Sequence, residues 1–172
     1  HFYFPSQGAS HRISGEFTIP GSDDTYYKLG YRNRSYFSTA NDSLIIALKG
    51  DINYGDGYGD SDGLPFYRKY YAGGINTVRG FAHNSLGPKY GNGDNSGGDF
   101  RVNGSLEVMT PIGDLGREAS LRLGAFIDVG NVYRKFDDFD AGDLRYSSGI
   151  FLQWMTPIGW PSARPKTRIT AP

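Results

Sequence analysis

The chain has 172 residues, with 18 basic and 18 acidic side chains, 25 glycines and no cysteine. This length fits one domain with a modest core, and the balanced charge argues against a nucleic-acid-binding protein, which needs a basic excess to displace counterions. The absence of cysteine excludes disulfide frameworks and thiolate metal sites from these residues.

No segment of the sequence could cross a bilayer as a helix. The longest run of purely apolar residues is 44–48, far below the roughly 20 that a transmembrane helix needs. The first residues lack the basic and apolar regions of a signal peptide, so we expect none here. The mean hydropathy of −0.49 leaves a transmembrane β-barrel open, because its strands alternate polar and apolar residues and the average hides the lipid-facing surface.

Six segments alternate polar and apolar residues with a period of two, which predicts β-strands with two unlike faces. In chain order they are residues 11–19, 27–32, 44–54, 101–108, 121–130 and 144–154. We find no convincing helical period between them. The sequence therefore predicts an all-β, antiparallel fold with six clear strands, and up to eight if residues 65–72 or the C-terminal tail also pair.

Two features favour a transmembrane β-barrel over a soluble β-sandwich or a lipocalin-like barrel, which stays the alternative. Most segments reach about ten residues, the length that a tilted strand needs to cross the hydrocarbon layer. Their apolar faces carry aromatic residues near the strand ends, as in the girdles at the two membrane interfaces. These aromatic residues are Tyr27, Phe37, Tyr54, Tyr146 and Trp154.

The connections between the predicted strands differ greatly in length. Residues 38–43 and 110–119 read as short turns, whereas residues 55–99 form one very long, glycine-rich loop. Loops of this length are usually functional or disordered. Outer-membrane barrels place short turns on the periplasmic side and long loops outside, and the unequal connections fit that arrangement.

Motifs for covalent or metal chemistry are missing from the sequence. His1, His11 and His83 are scattered without partners at ligand spacing, and no nucleophile elbow or phosphate-binding loop is present. The aspartate-rich stretches 56–63 and 92–97 only partly resemble calcium-binding loops. We therefore expect no enzyme, no cofactor and no metal site, although a catalytic group at a barrel rim stays an open alternative.

The most informative element lies in the middle of the long loop. Its tip is formed by Val78, Arg79, Gly80 and Phe81. The alternation places Glu107 and Asp128 on the polar faces of two later strands. If the loop folds back into the barrel lumen, the buried guanidinium of Arg79 needs carboxylate acceptors. The sequence therefore predicts that Arg79 pairs with Glu107 and Asp128.

At these residues the sequence resembles the BamA family, the central subunits of the bacterial outer-membrane β-barrel assembly machinery. The resemblance is carried by YAGGINTVRGF, SLEVMTP, FIDVGNV and GIFLQWMTPIG, at residues 71–81, 105–111, 126–132 and 149–159. It runs in order through residues 1–159. The family has periplasmic POTRA domains followed by a sixteen-stranded barrel, and residues 78–81 match the tip of a long extracellular loop that enters the lumen.

The resemblance implies a location, a function and partners. It places the chain in the bacterial outer membrane, as part of a protein that folds and inserts β-barrel proteins. The implied partners are the lipid bilayer, unfolded outer-membrane protein substrates and the lipoproteins of the BAM complex. The resemblance also implies that Arg79 pairs with Glu107 and Asp128, which match acidic positions of the family.

The sequence also departs from the family pattern. POTRA domains and the first and last barrel strands have no counterpart, and residues 160–172 do not alternate. We expect residues 1–159 to form a partial barrel with the long loop 55–99, and residues 160–172 to be a truncated or non-native tail. We expect this fragment to be inactive in assembly alone, and to close its edges as a small barrel or through a homodimer.

Two other functions stay open at this point. One is a two-partner-secretion transporter of the same superfamily, which shares an arginine-glycine-aromatic loop tip but exports a polypeptide. The other is a small structural or enzymatic barrel of the outer membrane.

Overall fold

The structure, a computed structural model, describes residues 5–39, 43–114 and 120–155. These residues form one antiparallel sheet of six strands, paired in chain order, which confirms the predicted all-β antiparallel fold. The strands are β1 (Gly8–Phe17), β2 (Tyr26–Ser38), β3 (Ile45–Gly57), β4 (Phe100–Asp114), β5 (Ser120–Tyr133) and β6 (Arg145–Met155). No helix among the described residues has the length and apolar character to cross a membrane.

The connections fall into two classes at opposite ends of the sheet. The connections 18–25, 58–99 and 134–144 lie at one end, here called the loop end. At the other end, the turn end, β2 and β4 end and β3 and β5 begin. Residues 65–72 do not add a strand, because Phe66–Arg68 is a 3-10 turn and Tyr70 forms only an isolated bridge with Gly98. The predicted tail 160–172 lies outside the described residues.

One face of the sheet, here called the outward face, carries large apolar side chains that remain exposed. Phe37 pairs with Ile46, and Leu106 pairs with Ile127, so that apolar residues adjoin across strands. Ile150 is 81% exposed. A continuous exposed apolar face of this kind marks contact with a membrane or a partner, and its alternation with polar residues is typical of a lipid-facing barrel wall.

The opposite face, here called the polar face, carries the charged side chains and the buried core. On this face, Asp51 forms ion pairs with Arg32 (Oδ1 to Nε, 2.5 Å) and with Arg34 (Oδ2 to Nη1, 3.2 Å). Two apolar clusters are also buried there, one of them between the sheet and the long loop. One part of the core therefore forms where the loop covers the strands, and the other forms among strand residues alone.

The two outer strands are unpaired on their far sides within the described residues, since β1 pairs only with β2 and β6 only with β5. The expectation that the fragment closes as a small barrel is therefore wrong for this structure. Six strands are fewer than the eight of the smallest bacterial barrels, and the polar face is already occupied by the long loop. Completion by a homodimer stays a prediction.

The assignment of the faces predicts that a new charge on β1 destabilises the protein on the outward face and has little effect on the polar face. Ile13 is 83% exposed on the outward face, and Ile13→Arg should lower the free energy of unfolding in lipid vesicles by about 2–4 kcal/mol if the residue lies near the bilayer midplane. The neighbouring Ser14→Arg, on the polar face, is the matched control and should change it little. Equal losses in denaturant titrations would contradict the assignment of the faces.

Candidate functional site

A tight turn at the centre of the long loop sets the position of the site. The N–H of Gly74 donates to the carbonyl of Val78 at 3.1 Å, and the N–H of Gly73 donates to Oγ1 of Thr77 at 2.8 Å. Gly73 has φ of 109° and Gly74 has φ of 95°, conformations that favour glycine. The Gly-Gly pair thus allows the chain to reverse and present residues 78–81 to the sheet.

Val78 anchors the tip of the loop by apolar contact. It is fully buried in a cluster with Ala72, Leu86 and Val132, and Phe81 packs against this cluster. Val78 lies over Gly130 of β5, where an added Cβ would stand 3.0 Å from Cγ2 of Val78 and 2.7 Å from the carbonyl oxygen of Val102. The absence of a side chain at Gly130 makes this close approach possible.

Arg79 makes the polar contact that follows. Its Nε and Nη2 donate to the two carboxylate oxygens of Asp128, each at 2.7 Å, and its backbone N–H donates to Oδ2 at 3.0 Å. Asp128 is only 1% exposed. This two-pronged geometry is the strongest form of arginine–carboxylate pairing, and it fixes the orientation of both groups.

Glu107 joins this pair to a second cation. Its Oε1 lies 2.9 Å from Nη2 of Arg79, and its Oε2 lies 2.6 Å from Nζ of Lys49. Nη2 of Arg79 also donates to Oγ of Ser105 at 3.0 Å. Two cations and two carboxylates therefore balance in a largely buried cluster, the arrangement that buried charges require. We call Lys49, Arg79, Glu107 and Asp128 the charge cluster.

Two phenylalanine rings complete the surroundings of the guanidinium. The Cζ atom of Arg79 lies 3.6 Å from the ring centroid of Phe126 and 5.5 Å from that of Phe151. A Cβ on Gly149, the strand partner of Phe126, would stand 2.9 Å from that ring. The ring therefore lies flat over glycine, where it supports the cation through its π face.

Burial and hydrogen bonding shift the pKa of Arg79 in opposite directions. Burial alone lowers the pKa of the guanidinium, and the hydrogen bonds and negative charges of Asp128 and Glu107 together more than offset this, so that the pKa lies above its ordinary value. The side chain therefore stays charged at every physiological pH.

The structure brings the predicted site residues together, with Arg79 in contact with both Glu107 and Asp128. Gly80 has φ of 85°, and a Cβ there would stand 3.5 Å from Cβ of Ser147 on β6. The sequence reasoning missed Lys49, Ser105, Phe126 and Phe151 as parts of the site. Each lies on the polar face, but alternation gave no cross-strand register that would have placed them beside Arg79.

The contacts at this site bind the long loop to the sheet. A cavity of about 260 Å³ adjoins the charge cluster, and its wall includes Arg34, Asp51 and Asn103. Among the described residues, no group of three or more histidine, cysteine, aspartate or glutamate side chains could hold a metal ion. The arrangement holds a loop against a sheet through charge and packing.

Comparison with known proteins identifies relatives over most of the chain. The Omp85 superfamily domain matches residues 1–162. The outer membrane protein assembly factor BamA of Neisseria meningitidis serogroup B is 29% identical over 184 residues, which cover 91% of this chain and 23% of that protein. BamA of Nitratidesulfovibrio vulgaris is 31% identical over 163 residues, which cover 90% of this chain and 20% of that protein.

A solved structure shows the same similarity in three dimensions. The crystal structure of BamA from Haemophilus ducreyi lacking POTRA domains 1–3 superposes with a TM-score of 0.78 at 35% identity. The match covers 91% of this chain and 34% of that one. The chain thus spans about a fifth of the length of the two curated relatives.

Gly130 offers a test of the close approach of Val78. Gly130→Ala should displace the loop tip, because its Cβ would meet backbone and side-chain atoms at 3.0 Å or less, and it should cost about 1–3 kcal/mol of unfolding free energy. Gly50→Ala is the matched control, since its nearest neighbour would be 3.9 Å away. Denaturant titration and protease cleavage of the loop would show the difference, and equal behaviour of the two variants would contradict this packing.

Lys49 offers a test of the shared carboxylate. Lys49→Met should lower the free energy of unfolding by about 1.5–3 kcal/mol, because Glu107 loses a charged hydrogen-bond donor. In the Lys49→Met background, Glu107→Gln should cost less than it does in the wild-type protein. The free energies of unfolding are measured by denaturant titration, and additive losses would show that Lys49 and Glu107 act independently.

Proposed function

The chain belongs to the Omp85 superfamily, and we propose on this basis that its strands form the barrel segment of an outer-membrane protein assembly factor. The proposal places the chain in the bacterial outer membrane, where the complete protein folds and inserts β-barrel proteins. The observation that carries it is the seating of the loop tip, where Arg79 contacts Asp128 and Glu107 on the polar face.

The exposed outward face supports a membrane location for these strands. Apolar side chains on this face would contact lipid, while the charge cluster on the opposite face would line the lumen. The long loop then fills part of the lumen instead of leaving an open channel. The polypeptide transporter shares this kind of loop tip, and the similarity to BamA proteins is what favours an assembly factor.

The proposed function requires no covalent chemistry. An unfolded barrel precursor gains hydrogen bonds and apolar burial as it enters the bilayer, so the assembly factor only has to accelerate its insertion, through strand pairing at an edge and local disturbance of the membrane. In this mechanism the charge cluster has a mechanical role. It holds the loop inside the lumen and stabilises the barrel.

The proposed partners are the lipid bilayer, unfolded outer-membrane proteins and the lipoproteins of the BAM complex, together with a second copy of the chain if its edges pair. We propose no enzymatic activity and no cofactor. The division between a barrel part and a tail at residues 160–172 stays a prediction, since residues 156–172 lie outside the described residues.

Charge reversal at Arg79 tests the proposed function. Arg79→Glu, introduced into the full-length native protein, would place a third carboxylate beside Glu107 and Asp128 and should release the loop. We expect a lower unfolding temperature of the barrel and impaired growth of cells that depend on this copy. Arg12→Glu is the matched control, because it makes the same change of charge at an exposed position of the polar face.

Two outcomes test the role of the charge cluster and the proposed function separately. Unchanged barrel stability and growth in Arg79→Glu would sink the proposed role of the charge cluster. High single-channel conductance of the wild-type protein, without insertion of barrel substrates into vesicles, would favour the transporter instead.

A further inference from the structure

The connection 134–144 between β5 and β6 folds over the outward face of the sheet at the loop end. Asn131 and Tyr133 lie on the outward side of β5, yet they are only 8% and 4% exposed. The connection covers them, because Nδ2 of Asn131 donates to the carbonyl of Asp143 at 2.7 Å and the hydroxyl of Tyr133 donates to the carbonyl of Asp140 at 2.8 Å.

Two phenylalanines of this connection stack on aromatic residues of the strands. Phe136 packs edge-on against Phe100 and Tyr54, with ring centroids 5.1 Å and 6.0 Å apart. Phe139 packs edge-on against Phe100 and Tyr133, at 5.7 Å and 5.2 Å. We call Tyr54, Phe100, Tyr133, Phe136 and Phe139 the outer aromatic cluster. It continues the apolar outward face to the end of the strands.

The two loop phenylalanines remain open to the surroundings, although the loop itself is well ordered by hydrogen bonds. Phe136 is 55% exposed and Phe139 is 43% exposed. The N–H of Phe139 donates to the carbonyl of Phe136 at 3.0 Å, and the N–H of Gly142 donates to Oδ1 of Asp140 at 2.8 Å. The rings are therefore held in place, with about half of their surface facing away from the protein.

The same connection also carries charged groups. Nζ of Lys135 contacts Oδ1 of Asp62 in the long loop at 2.6 Å. The connection thus combines aromatic rings that continue the lipid-facing surface with charged groups at the level of the loops. Aromatic residues with such neighbours are favoured at the boundary between acyl chains and headgroups.

We propose that the connection 134–144 is a lipid-binding element that inserts Phe136 and Phe139 into the headgroup–acyl boundary of the outer leaflet. The occupant of this surface is lipid, because the rings extend an apolar face that the proposed function already places in the bilayer. The inference rests on that membrane placement. It adds that a loop, and not only the strands, fixes the depth of this part of the barrel wall.

Photo-crosslinking tests the proposal. A photoreactive phenylalanine analogue, p-benzoylphenylalanine, is introduced at one position at a time in the full-length native protein, reconstituted into vesicles of phosphatidylethanolamine and phosphatidylglycerol. After illumination, lipid adducts are measured by mass spectrometry. The test positions are Phe136 and Phe139. Ile150, exposed in the middle of the outward face, reports whether the strands contact lipid at all.

Phe66 is the matched loop control. It is 72% exposed, but its neighbour Arg68 contacts Glu16 on the polar face. We expect lipid adducts at Phe136, Phe139 and Ile150 and only background at Phe66. Adducts at Ile150 without adducts at the two test positions would overturn the lipid-binding role of the connection. Absence of adducts at Ile150 itself would overturn the membrane placement on which the inference rests.

Discussion

The buried carboxylate of Asp128 is the constraint on which the rest of the structure depends. A carboxylate that is 1% exposed costs several kcal/mol in lost hydration unless a cation and hydrogen bonds replace water. Arg79 supplies three of these bonds, two from the guanidinium and one from its own backbone. Because Arg79 belongs to the loop and Asp128 to the sheet, satisfying this one group draws the loop onto the polar face.

The remaining contacts make this placement specific. Val78 can enter its apolar cluster only where Gly130 leaves room, and the guanidinium can lie on Phe126 only because Gly149 lets the ring lie flat. Glu107 distributes its charge between Arg79 and Lys49. Such a cluster gains little over an apolar core when it is complete, but it loses much when one member is removed. The cluster therefore acts as a lock, in the sense that it holds the loop tip at one defined position on the polar face.

The period-two pattern was sufficient to predict the faces of the sheet, and the choice of the two carboxylates also needed the argument that a buried Arg79 requires acceptors. Glu107 and Asp128 fall on the polar face because side chains alternate, and this needs no knowledge of strand partners. Alternation also places Lys49 on the polar face, but its contact with Glu107 could not be predicted, since it depends on the pairing of Ala47 with Glu107 across β3 and β4. β3 and β4 are joined by the long connection 58–99, and a loop of this length does not fix the strand register in the way a short turn does.

Two features depended on tertiary contacts that no local pattern contains. The sheet stays open in the described residues, with β1 and β6 as its edges and the long loop against its polar face, whereas the sequence left closure as a small barrel among the expectations. The cover of Asn131 and Tyr133 by the connection 134–144 was equally hidden, because those residues read as ordinary members of an alternating strand.

The most direct test of the lock is a double-mutant cycle between Arg79 and Asp128. The free energies of unfolding of Arg79→Ala, Asp128→Ala and the double variant would be measured in the full-length protein in lipid vesicles. A coupling free energy of at least about 1.5 kcal/mol is expected for a close, buried charge pair. A coupling near zero would contradict the central role of this contact.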